Sequence, residues 1–195
     1  MPTALPPPSA ASRPTHGVKK VLLVGRWSLY TSGSYGQPKD GYFLVEDDPT
    51  RWNEALSRRA FERGLNRTLA AYRAAGAEVA VLLQVPQQEV APPKLYARFE
   101  GLYGPLTQDH KRSLLEQSSI LRTRHADLQA LSRETILSAA QAHGAQVMDP
   151  DPLFCDADRC AIGELDLSFY SDQNHLSASG VRRLKPLLDA HLLQP

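Results

Sequence analysis

Ala77-Glu-Val-Ala-Val-Leu-Leu-Gln-Val85 is a nearly unbroken apolar run, bounded by Gly76 before it and Pro86 after it. A run this short, apolar on consecutive rather than alternate residues, reads as a strand buried on both faces of a parallel sheet. Upstream, Trp52 to Ala75 reads as a helix: Leu56, Ala60, Leu65, Leu69 and Tyr72 form an apolar stripe, and Gly76 stops it. Further upstream, Val18-Lys-Lys-Val-Leu-Leu-Val-Gly25 repeats the strand pattern. Downstream, Thr107 to Ala142 is mainly helical, in one or two pieces, with Leu114, Ile120, Leu121, Leu128, Leu131, Ile136 and Leu137 as its expected buried face. Gly144 ends that stretch, and Ala145 to Asp149 is a short third strand. A last helix is expected from about Ser179 to Leu193, kinked or restarted at Pro186.

Strand and helix therefore alternate, which is the order of an α/β three-layer sandwich with a mostly parallel sheet and crossover helices. The segments between are less regular. Arg26 to Thr50 reads as a long loop with a hairpin near Lys39-Asp-Gly41, and Gln87 to Gly104 as an irregular excursion. Pro150 to Cys160 reads as a loop and Leu165 to Tyr170 as a brief extended piece. In such sheets the working residues lie on loops beyond the C-terminal ends of the strands. Gly25 to Ser28, Gln84 to Pro86 and the loop after Met148 all fall there.

The bulk composition narrows the class. The chain has 195 residues, 42% hydrophobic and 22% charged, with a formal net charge of +1. That suits one globular domain over residues 18–195 and gives no electrostatic reason to expect nucleic acid or an acidic membrane surface. No apolar run approaches the roughly 20 residues of a membrane helix. Residues 1–17 read as a disordered Pro/Ala/Ser-rich tail.

Chemistry concentrates in Tyr170-Ser-Asp-Gln-Asn-His-Leu-Ser177. Asp172 and His175, three residues apart, can share one loop ahead of a helix. The carboxylate can then bond one imidazole nitrogen while the other faces a cleft. Imidazoles titrate near neutral pH, so His175 suits a general base and Asp172 would fix its tautomer. The bland alternative is a capping Asp172 beside a solvent-exposed His175.

Tyr170-Ser-Asp172-Gln-Asn-His175-Leu-Ser-Ala-Ser-Gly180 resembles the closing block of SGNH (GDSL-like) esterases and acyltransferases. It is most similar to the SGNH domains attached to membrane proteins that O-acetylate bacterial polysaccharides. Val21-Leu-Leu-Val-Gly-Arg-Trp-Ser-Leu-Tyr30 resembles their third block, and the loop bounded by Cys155 and Cys160 also fits. The resemblance runs from about residue 18 to 193. It implies a flavodoxin-like fold, acetyl transfer to or from carbohydrate hydroxyls with no cofactor, and catalysis by Asp172 and His175. It puts Arg26 and Trp27 on the oxyanion or substrate side. It further implies an acyl donor, a carbohydrate acceptor, a membrane acyltransferase domain as partner and a periplasmic setting.

One part of the family's pattern is missing. The nucleophilic serine of such domains lies on a Gly-Asp-Ser turn after a first strand, before the third block. Only the Pro-rich tail precedes Val18 here. The expectation is an incomplete domain that lacks this strand, turn and second oxyanion glycine, or that takes them from a missing N-terminal segment. Ser28 is the leading substitute nucleophile, ahead of Ser32 and Ser34. A non-catalytic SGNH-like binding module, with an open sheet edge, is the alternative.

The remaining candidates are plainer. Cys155 and Cys160 allow a small disulfide loop, with two free thiols as the other reading. A metal site would need more Cys or His ligands nearby. Asp149, Asp151, Asp156 and Asp158 lack the spacing of a calcium loop, so no metal is expected. Arg58, Arg59, Arg63 and Arg67 read as a solvated helix face, His110 and His125 as surface residues, and His143 as a helix C-terminal cation.

Overall fold

A computed structural model describes residues 17–32, 41–46, 48, 50–101 and 104–192. The proposed N-terminal tail up to residue 16, Ser34, and Lys39 and Asp40 of the expected hairpin lie outside them. Strand β1 (Lys20–Leu23) is followed by a short helix α1 (Trp27–Ser32) and the long helix α2 (Glu54–Ala74). Strand β2 (Glu78–Leu82) leads into helices α3 (Pro92–Glu100) and α4 (Gln108–Ser118). A two-residue strand β3 (Ile120–Leu121) precedes helix α5 (Arg122–His143), and strand β4 (Gln146–Met148) completes the main sheet. Beyond it lie α6 (Asp151–Phe154), the short strands β5 (Arg159–Cys160), β6 (Gly163–Glu164) and β7 (Leu167–Ser168), and helix α7 (Ala178–Leu192).

The main sheet is parallel in the order β1-β2-β4. Its alternating side chains seed two cores, one on each face. Val79, Val81 and Leu83 pack with Phe61, Leu65 and Leu69 of α2 and Ile136 and Ala139 of α5. Ala80, Leu82 and Met148 pack with Leu95 and Phe99 of α3, Leu115 of α4, Phe154, Phe169, Tyr170 and Leu184 of α7. Burial on both faces explains why β2 is apolar at consecutive positions. The three-layer α/β expectation holds.

Some local expectations change. Trp27–Ser32, expected as loop, is helical, and Pro92–Glu100 is a helix rather than an irregular excursion. Pro92 and Pro93 occupy its first turn, where no backbone donor is lost. The loop after residue 150 contains α6 and β5. Helix α7 runs through Pro186 without a break. The buried stripe of α5 is His125, Gln129, Ser132, Ile136, Ala139 and Ala140, whereas Leu121 and Leu137 are exposed. His125, expected at the surface, is only 3% exposed.

The arginines of α2 do form a solvated face. Arg58 pairs with Glu54, and Arg63 and Arg67 reach Glu46. His143 ends α5 and contacts Asn66 Oδ1 at 2.9 Å. The acidic cluster is partly neutralised, since Arg133 pairs with both Asp149 and Asp151.

Candidate functional site

The loop between β7 and α7 is closed on itself. Tyr170 and Leu176 form an antiparallel bridge, and the Ser171 N–H donates to the His175 carbonyl at 2.8 Å. Asp172 organises its interior. Oδ1 accepts the backbone N–H groups of Asn174 and His175, both at 2.8 Å, and Oδ2 lies 2.6 Å from His175 Nδ1. Partial burial pushes the Asp172 carboxyl up. The Asn174 N–H, then the imidazole and N–H of His175, outweigh it and hold the group down at about 2. The carboxylate is thus ionised at neutral pH and accepts from Nδ1–H, so in the neutral ring Nε2 is the nitrogen that carries the lone pair. Among the described residues nothing hydrogen-bonds Nε2, and the His175 side chain is 76% exposed.

The following helix is seated by its own first residues. Ser177 Oγ accepts from the N–H groups of Ser179 and Gly180 and donates to Ser168 O. A Cβ on Gly180 would lie 2.1 Å from the Phe169 carbonyl oxygen, so only glycine lets α7 approach that strand end.

The loop is pinned to the C-terminal edge of the sheet by the segment after β2. The Gln88 N–H donates to Gln173 O at 2.8 Å, and Gln173 Nε2 donates to Glu89 O at 2.9 Å. The fully buried Gln88 side chain donates to Cys160 O and accepts from the Ile120 N–H. Two neighbouring glutamines hold the third-block residues. Gln84 Oε1 accepts from both the N–H and the hydroxyl of Ser28, at 3.0 and 2.8 Å. Gln87 Oε1 accepts from Arg26 Nε and Nη2. Trp27 donates its one side-chain N–H to Leu82 O at 2.8 Å and packs against Phe61. Ser28 is 3% exposed. None of these glutamine roles was visible in the sequence, because each partner lies far along the chain.

Between β1, the end of β2 and α7 lies a cleft of about 510 Å³. Val24, Leu82, Val85, Leu184 and Leu188 give it an apolar lining, and Arg26 and His175 both face it. The structure thus brings together Arg26 and the Asp172–His175 pair. On the outer side of β1, no strand pairs with it among the described residues, and Val24 is 62% exposed. Cys155 and Cys160 form a disulfide, which settles the alternative of free thiols.

The sequence model for an SGNH domain fused to AT3 domains matches residues 9–190. The chain belongs to this family. The SGNH chain also resembles, at a TM-score of 0.53, the solved periplasmic domain of the lipopolysaccharide acetyltransferase of Salmonella ser. Paratyphi A. That likeness covers 90% of this chain and 57% of that one at 11% identity, so it speaks to the fold. This SGNH chain spans just over half the length of that solved domain. No functionally curated protein matches it. No helix among its described residues is long and apolar enough to cross a membrane.

Proposed function

We propose that the chain is the His/Asp-bearing part of an extracytoplasmic O-acyltransferase or esterase domain acting on carbohydrate hydroxyls. The observation that carries this reading is His175 held through Nδ1 by an ionised Asp172, with Nε2 unengaged at the rim of an apolar cleft. In the reaction His175 takes the proton of a serine hydroxyl as that oxygen attacks the acyl carbonyl, and Asp172 stabilises the imidazolium. His175 hands that proton to the donor's leaving group as it departs, which gives the acyl-enzyme. A sugar hydroxyl or water then attacks the acyl carbonyl, and His175 takes that acceptor's proton and returns it to the serine oxygen as the acetyl group leaves. Arg26, on the cleft wall, is the residue placed to stabilise developing negative charge, while Trp27 shapes the turn beneath it.

The serine in this scheme is supplied by a segment other than the purified chain, one that adds to the open edge of β1. Ser28 serves instead as a buried pin: its hydroxyl is given to Gln84. The membrane acyltransferase domain to which such domains are fused is the expected partner.

Incubation of the purified chain with p-nitrophenyl acetate tests the scheme. We expect no turnover above background. Turnover by the wild-type chain that disappears in His175→Ala would show that a resident serine serves, and would sink the supplied-nucleophile reading. The open β1 edge also suits a non-catalytic interaction module. A monodisperse, cooperatively melting monomer, read by light scattering and a thermal melt, counts against a missing half.

A further inference from the structure

His125 lies on the buried face of α5, far in sequence from the two cysteines, yet one ligand atom from each of His125, Cys155 and Cys160 falls within 4.8 Å of the others. The imidazole is oriented from one side. Its Nε2 lies 2.9 Å from Asp151 Oδ1, and the other carboxylate oxygen of Asp151 faces Arg133. A carboxylate paired with arginine accepts, so Nε2 carries a proton and, in the neutral ring, Nδ1 carries the lone pair. Nδ1 is buried and, among the described residues, has no hydrogen-bond partner. A buried imidazole lone pair without a donor is costly to maintain and is the form in which histidine binds metal. The carboxylate behind it completes a carboxylate–histidine pair of the kind that orients metal-binding imidazoles.

The cysteine loop is shaped to keep both sulfurs together. Cys155 and Cys160 are bridged as an antiparallel pair, and Asp156 Oδ1 accepts the N–H groups of Asp158 and Arg159 inside the turn. Cys160 is fully buried and Cys155 half-buried, so Cys155 is the sulfur an external thiol reaches.

We propose that Cys155, Cys160 and His125 form a redox-gated zinc site, closed while the disulfide stands and opened by a dithiol reductant. A reductant thiolate attacks Cys155 and releases the Cys160 thiolate, which takes up a proton. The reductant's second thiol then resolves the mixed disulfide. Two electrons have moved to the cysteines, and the reductant leaves as a disulfide. Zn²⁺ displaces the two thiol protons to solvent and takes the Nδ1 lone pair, with water in the fourth position. Two thiolates and an imidazole are a donor set that favours Zn²⁺ over hard cations such as Mg²⁺ or Ca²⁺.

The test uses the whole chain, reduced with dithiothreitol, desalted without air and titrated with Zn²⁺ against a chromophoric chelator. Co²⁺ serves as a spectroscopic stand-in. The reduced chain should bind one equivalent, give the intense visible bands of tetrahedral thiolate-bound Co²⁺ and melt at higher temperature with Zn²⁺ than without. The oxidised chain and a reduced, iodoacetamide-blocked chain should do none of these. Asp151→Asn should weaken binding by about 10–100-fold, and His125→Gln should weaken it further. Three results overturn the proposal: equal Zn²⁺ binding by oxidised and reduced chains, no binding by the reduced chain, or unchanged affinity in His125→Gln. A reduced chain that unfolds and is not restored by Zn²⁺ overturns it as well.

Discussion

Gly180→Ala probes how the His175 loop is joined to its helix. The new methyl would sit 2.1 Å from the Phe169 carbonyl oxygen and 2.9 Å from Leu176 Cδ2. The leucine can turn away. The carbonyl cannot, because it already accepts the Ser177 N–H at 2.9 Å. Ordinary contact needs the two backbones to part by more than an ångström. Overpacking of this kind costs about 1–3 kcal/mol, and stretching the Ser177 bond adds about 1 kcal/mol. Removing a helical glycine returns roughly 0.5–1 kcal/mol. The net is a destabilisation of about 2 kcal/mol, or a fall in Tm of about 4–8 °C for a chain of this length. Gly64→Ala is the matched control: Gly64 lies in the interior of α2 and a Cβ there meets nothing within 4 Å. It should raise Tm slightly. Calorimetry of the three oxidised proteins decides the matter. If Gly180→Ala melts at or above the wild-type temperature, the close approach of α7 to Phe169 is not a constraint and the reasoning fails.

The other expectations concern the polar groups. Asp172 is depressed from 3.8 to about 2 in the folded chain, so its contribution is fully present above the unfolded value and is lost as pH falls through the folded one. The Tm gap between wild type and Asp172→Asn should therefore be constant above about pH 5 and shrink progressively between about pH 5 and 1; a gap that does not shrink over that range contradicts it. Gln88→Leu leaves the Ile120 N–H and Cys160 C=O without their partner and should cost about 2–3 kcal/mol, read as a fall in the urea midpoint. Ser28→Ala keeps the backbone N–H on Gln84 and should cost only about 1 kcal/mol. In a domain complemented for activity it should leave turnover intact, and a total loss would reinstate Ser28 as nucleophile.

How much of this was legible in the sequence follows from the range of each interaction. Strands buried on two faces write their burial into consecutive apolar residues, so β1, β2 and β4 were legible. Helix α1 was not, since six residues carry little periodicity and its hold comes from Trp27 on Leu82 and Ser28 on Gln84. Pro92 and Pro93 read as breakers because sequence alone does not say that they open a helix. The stripe of α5 was misjudged because its buried face is small and polar, and hydropathy favoured Leu121 and Leu137 instead. At the site, the Asp172–His175 pair was legible because it is local. The glutamines were not, since Gln84, Gln87 and Gln88 act on partners 32 to 72 residues away. His125 was missed for the same reason: what links it to the cysteines is the packing of α5, not any spacing along the chain.

The carboxylate and imidazole are only three residues apart, and the hydrogen bonds that fix the carboxylate all end within the same turn. Bringing them together closes almost no chain, so the pair forms with little loss of loop entropy. A third group from elsewhere has no such advantage. Its arrival is governed by tether length and effective concentration. In the proposed centre two members thus travel as a single cassette, and a third group brought to His175 Nε2 is positioned separately.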